Sequence, residues 1–137
     1  MAVIQVNLVA VLVCSFITFI LGALWYSPLL FAKKWVELIG KTDEELKQGA
    51  NPMMYVMAFI LGFMTNFALA FVINLSKVTI FYDGALVGAM CWIGFAGATS
   101  YTNQVIFVQR PSALWSIDSG YNLVSFMISG TILTLWK

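Results

Sequence analysis

Four long apolar stretches, parted by short segments that gather most of the charge, constrain this chain more than any motif in it. They cover about residues 3–26, 53–75, 84–108 and 113–136. Each is long enough to cross the roughly 30 Å hydrocarbon core of a bilayer at about 1.5 Å per helical residue. With 61% hydrophobic and 9% charged residues, the chain falls well short of the quarter or so of charged residues that a soluble domain carries. The bilayer is therefore the expected solvent. Lipid offers no hydrogen bonds to the backbone, so each stretch is expected to close its own as a helix. The fold class that follows is all-α, an up-down-up-down integral membrane bundle of four transmembrane helices in one domain over residues 1–137.

The first stretch begins Met1-Ala2-Val3-Ile4-Gln5, without the cationic start of a cleaved leader, and ends in Trp25-Tyr26-Ser27-Pro28. It is expected to stay as a span. The connector over 28–51 then carries two helices. Ser27 as cap and Pro28 at the first position predict an amphipathic one, with Leu29, Phe31, Ala32, Trp35, Val36, Leu38 and Ile39 on one half. Lys33, Lys34 and Glu37 share the other half, Leu30 is the single misfit, and Gly40 stops the helix. Thr42 and Glu45 have capping-box spacing for a short polar helix ending near Gly49. Asn51-Pro52 repeats the cap-plus-proline device for the second span, and Asp83 is the expected cap of the third. Trp25, Tyr26, Trp35 and Trp136 are placed to anchor the bundle at the headgroups. Lys33, Lys34, Lys41, Lys47 and Arg110 fall on one side and outnumber Lys77 and Lys137 on the other. The positive-inside bias puts the first and third connections in the cytoplasm and both termini outside.

The net charge of +1 argues against a nucleic-acid partner. The absence of histidine removes the commonest general base and metal ligand. Cys14 and Cys91 sit inside apolar runs without metal or redox spacing. No nucleophile has a partnered base and Asp118 has no second acid near it, so neither enzymatic activity nor a cofactor or metal is expected.

Two features remain. The third stretch is rich in small residues, with Gly84 and Gly88 in a GxxxG step and Gly94 and Ala98 continuing it, the pattern that lets helices approach closely. The contact lies either inside the bundle or between copies in a homo-oligomer. Polar residues also gather at one end: Thr99, Asn103 and Gln104 in the third stretch, Asp118, Tyr121, Asn122 and Ser125 in the fourth, with Asn66 of the second near mid-membrane. Asp118, Asn122, Ser125 and Ser129 fall on one helical stripe. This set is either a pathway or interhelical hydrogen bonding worth well under 2 kcal/mol per contact. Asp118 is the functional candidate by default, because an ionisable group in a span is costly. If the helix starts at Ser116 rather than Ser112, it is instead a first-turn anion favoured by the dipole, within reach of Arg110, Lys33 or Lys34.

Leu21-Gly-Ala-Leu-Trp-Tyr-Ser-Pro-Leu-Leu-Phe31, the capped Thr42-Asp-Glu-Glu-Leu46 and Gly120-Tyr121-Asn122-Leu-Val124 together resemble a bacterial four-helix integral membrane family, the domain of unknown function 1761 family. Members of that family often carry His where this chain has Asn122. The resemblance covers nearly the whole chain and implies the four-span fold and a bacterial inner-membrane address. It implies no substrate and no catalytic residues. Two functions are carried forward. One is a channel- or transporter-like protein for a small solute, ion or proton through the polar cluster around Asp118. The other is a structural or accessory membrane subunit that self-associates through its third helix.

Overall fold

The computed structural model describes residues 5–137. Val3, where the sequence places the start of the first span, lies outside the described residues. The helices are α1 (Leu8–Trp25), α2 (Ala32–Ile39), α3 (Asp43–Gly49), α4 (Pro52–Ser76), α5 (Phe81–Phe107) and α6 (Ser112–Leu135), and no described residue is in a strand. Of these, α1, α4 and α5 are long and apolar enough to cross a membrane. The 24 residues of α6 reach about 36 Å, but Ser112, Ser116, Asp118, Ser119 and Asn122 make its first half more polar.

Helix α6 packs against α1, α4 and α5 and touches α2 as well; Ser119 is buried there and Asp118 half-buried, whereas Ser112, Ser116 and Asn122 are exposed. The other long helices turn large apolar groups outward, with Phe16, Met64, Phe71 and Phe95 all exposed. A soluble protein does the reverse on this scale, whereas acyl chains suit such a surface.

Cross-helix contacts give the directions. Gly84 meets Thr134 and Gly130, Gly88 meets Phe126 and Ser100 bonds Trp115, so α5 and α6 run antiparallel. Asn66 bonds Ser15 and Thr18 while Phe59 packs on Phe16 and Phe19, which sets α4 antiparallel to α1. The buried core is made by Ala10, Val11 and Cys14 of α1, Leu69, Ala70 and Ile73 of α4, Cys91 of α5 and Leu133 of α6.

The seam between α5 and α6 depends on missing side chains. A Cβ on Gly84 would stand 2.1 Å from Thr134 Oγ1, and one on Gly88 would stand 2.2 Å from the Phe126 carbonyl oxygen. Gly94 and Ala98 lie outside this seam: both are exposed, and a Cβ on Gly94 would meet nothing within 4 Å. Two π-helical turns, Trp92–Gly97 and Thr102–Phe107, rotate the second half of α5. A π turn sets residue i+5 beneath residue i, and here Gly97 lies under the Trp92 indole, where a Cβ would be 3.2 Å from the ring.

The connector shows which local signals decide helix ends. Thr42 and Glu45 form the reciprocal capping box, Asn51 Oδ1 accepts the Met53 N–H at 2.9 Å, and Gly40 closes α2 in the left-handed region at φ 69°. The Thr42 backbone N–H on Glu45 holds that carboxyl below the usual carboxylate range. Two expectations are corrected. The amphipathic helix starts at Ala32, not after Ser27-Pro28, and Ile80 rather than Asp83 occupies the cap position of α5, leaving Asp83 in its first turn. Ser27 instead builds a turn: its hydroxyl donates to the Leu24 carbonyl at 2.7 Å, and the Phe31 N–H returns to the Trp25 carbonyl at 3.1 Å.

Candidate functional site

That turn aims the aromatic residues on either side of it at α6. Tyr26 Oη donates to Asp118 Oδ1 at 2.7 Å, and Trp35 Nε1 donates to the same oxygen at 3.0 Å. One residue earlier, Trp25 Nε1 donates to the Ile117 carbonyl at 2.9 Å. The rings hold one another. Phe31 lies 4.8 Å from Trp25, Tyr26 lies 5.6 Å from Trp35, and Tyr121 closes the set at 5.9 Å from Tyr26. Gly120 leaves room for Trp25, whose ring a Cβ there would approach to 3.3 Å. Polar edges expected at the headgroups for Trp25, Tyr26 and Trp35 are thus turned inward onto α6, while Trp136 stays exposed.

Asp118 is the seventh residue of a helix that starts at Ser112, beyond the first turn, where the dipole no longer governs a charge. Nor does a cation reach it, since the one ion pair among the described residues joins Lys34 to Glu37. Two aromatic donors on one oxygen take the place that a cation would fill. The Asn122 carboxamide, exposed, donates back to the Asp118 backbone carbonyl at 3.1 Å.

A polar column runs from this clamp into the bundle. Tyr121 Oη donates to the Thr18 carbonyl at 2.9 Å. Buried Asn66 Nδ2 donates to Ser15 Oγ at 3.3 Å and to Thr18 Oγ1 at 3.4 Å. Around these groups lies a cleft of about 60 Å³, lined by Thr18, Thr65, Asn66, Tyr121, Asn122 and Ser125. At roughly 30 Å³ per liquid water, it has room for about two. Asn122 and Thr65, both exposed, mark its mouth between α4 and α6. Beyond the cleft the Ser129 hydroxyl is fully buried beside the Cys14 sulfur, and Ser125 stands beside the Tyr121 hydroxyl. Neither serine makes a well-formed hydrogen bond, and each has only that neighbour as a weak partner. Past Ser129 the way is closed by the apolar core around Val11, Ile73 and Leu133.

Of the residues singled out from the sequence, Asp118, Tyr121, Asn122, Ser125 and Asn66 are brought together. Thr99, Asn103 and Gln104 are not: none lines the cleft or bonds Asp118, and Thr99 Oγ1 donates to its own helix at Phe95. Three contributors escape a sequence reading: Ser15, Thr18 and the pairing of Tyr26 with Trp35. Ser15 and Thr18 are three apart, on one face of α1, which is the only signal they leave.

A family model for a protein of unknown function (DUF1761) matches residues 9–134. No curated protein and no solved structure matches the chain.

Proposed function

The chain belongs to the DUF1761 family of proteins of unknown function, and we propose that it is a four-span membrane protein that admits a small polar solute, an ion or a proton to the cleft beneath Asp118. One observation carries this reading. A cleft wide enough for water is lined by Thr18, Asn66, Tyr121, Asn122 and Ser125, and the buried Ser125 hydroxyl on its wall makes no well-formed hydrogen bond. Polar groups kept only to tie helices together would be bonded to each other, because an orphaned buried group costs about 1–3 kcal/mol. A donor of this kind on the wall of a cleft suits a guest.

The fourth span in this reading is α6, whose length is sufficient and which packs against α1, α4 and α5. The address is the bacterial inner membrane, with the α1–α4 and α5–α6 connections and their cations on the cytoplasmic side. Activity is non-catalytic: Asp118 faces two aromatic donors rather than a second acid or a base.

The test is flux in liposomes, with proton- and cation-sensitive dyes, for the unaltered protein, Asp118→Asn and Asn66→Leu. Flux above empty vesicles that both changes abolish, in protein that still elutes as a folded species, is the expected result. Absence of flux for every solute tried would overturn it. A second reading, that of a structural or accessory subunit, draws on the clamp itself. Tyr26 and Trp35 both spend their donors on Asp118, as a latch between the first turn and α6 would. Exposed Gly94 and Ala98 would then be the face offered to a second copy.

A further inference from the structure

Between α2, α4 and the start of α6 the chain leaves a groove of about 460 Å³ that shares no lining residue with the cleft. Trp35 and Leu38 of α2, Met54 of α4 and Leu114 of α6 give it apolar walls, and Lys41 and Arg110 stand on its rim. No acid lines it. Neither cation is paired, because the one ion pair among the described residues is Lys34 with Glu37. Of the acids that follow Lys41, Asp43 and Glu44 are exposed in the first turn of α3, and the Glu45 carboxylate accepts the Thr42 N–H at 2.8 Å. A second groove of about 540 Å³ lies beyond Trp35 and Met54, shares Lys41 and has Glu45 on its wall.

Apolar channels under an interfacial helix, flanked by two unpaired cations, match one chemistry. The occupant has acyl chains and an anionic head. Guanidinium takes a phosphate in bidentate fashion and lysine adds a point charge, while both stems cover apolar surface and leave their heads at the water boundary. We propose that the groove beneath α2 binds an anionic phospholipid, its phosphate between Lys41 and Arg110 and its acyl chains against Leu38, Met54 and Leu114, straddling Trp35. This site is independent of the cleft and of whatever passes through it.

Native mass spectrometry of the full chain in mild detergent tests the site, with phosphatidylglycerol and phosphatidylcholine of identical chains supplied together. The protein should retain phosphatidylglycerol in preference. At about 1 kcal/mol for each cation near a lipid headgroup, Lys41→Gln with Arg110→Gln should lower that retention about thirtyfold. Lys33→Gln with Lys34→Gln, which removes exposed cations elsewhere on α2, should leave it unchanged. Met54 is exposed on the groove wall, and Met54→Trp, which narrows the groove and keeps both cations, should also weaken it. Equal retention of the two lipids, an equal loss in the Lys33/Lys34 variant, or full retention in Met54→Trp would each overturn the proposal. Displacement of the lipid by inorganic phosphate alone would overturn it too, by assigning Lys41 and Arg110 to a free anion.

Discussion

A single carboxylate oxygen, Oδ1 of Asp118, receives both the phenol of Tyr26 and the indole of Trp35, and this is where the first turn is fastened to α6. Hydrogen bonds to a charged acceptor are worth about 1.5–3 kcal/mol net, so Tyr26→Phe should lower stability by that order in detergent unfolding. Made in an Asp118→Asn background, the same change should cost clearly less, since a neutral amide oxygen is the weaker acceptor. Equal costs in both backgrounds would mean that Tyr26 is held by its ring contacts and not by the acid. The acid itself is legible in the sequence as a lone charge in a long apolar run. Its two donors are not, because they are separated from it by most of the chain and nothing local pairs them.

The contrast between local and long-range causes recurs in whole helices. Capping at Thr42 and Asn51 and the glycine stop at Gly40 depend on neighbours within a few residues, and the structure has them as the sequence predicts. The Ser27-Pro28 pair carries the same local signal for a helix start, yet the chain turns there, because that turn lets Tyr26 and Trp35 reach one oxygen. In α5 the repeated small residues look alike along the sequence, and the π turns divide them. Gly84 and Gly88 enter the α6 seam, while Gly94 leaves it. Gly88→Ala should therefore cost about 1–3 kcal/mol through overpacking. Gly94→Ala should be neutral or raise stability by up to about 1 kcal/mol through helix propensity. Equilibrium unfolding of the two variants compares them directly, and similar behaviour would place both glycines on one kind of surface.

For the molecule as a whole, the arrangement is a polar cleft above an apolar core, with α6 packed against the three apolar helices. Which end faces the cytoplasm rests on the cations of the connections. A cysteine introduced at Glu45 should resist a membrane-impermeant thiol reagent in intact cells, whereas one added after Lys137 should react. Cys14 and Cys91 are buried and give little background. The reverse labelling pattern would invert the orientation and leave the packing as described.

The all-helical class, three of the stretches suited to a bilayer and the caps at Thr42 and Asn51 were determined by the sequence alone. Hydrophobic length and capping act within one segment, and the free energies behind them need no knowledge of the neighbours. What only the tertiary structure decided was which polar groups share a space. Asn66 found Ser15 and Thr18, and Asp118 found Tyr26 and Trp35, while Thr99, Asn103 and Gln104 were turned away from both. A helix rotated by the fraction of a turn that a π bulge adds presents a different face, and no periodicity in the sequence fixes that rotation. Close packing does: Gly84 and Gly88 fit against α6 in one orientation, and the rest of α5 follows from it.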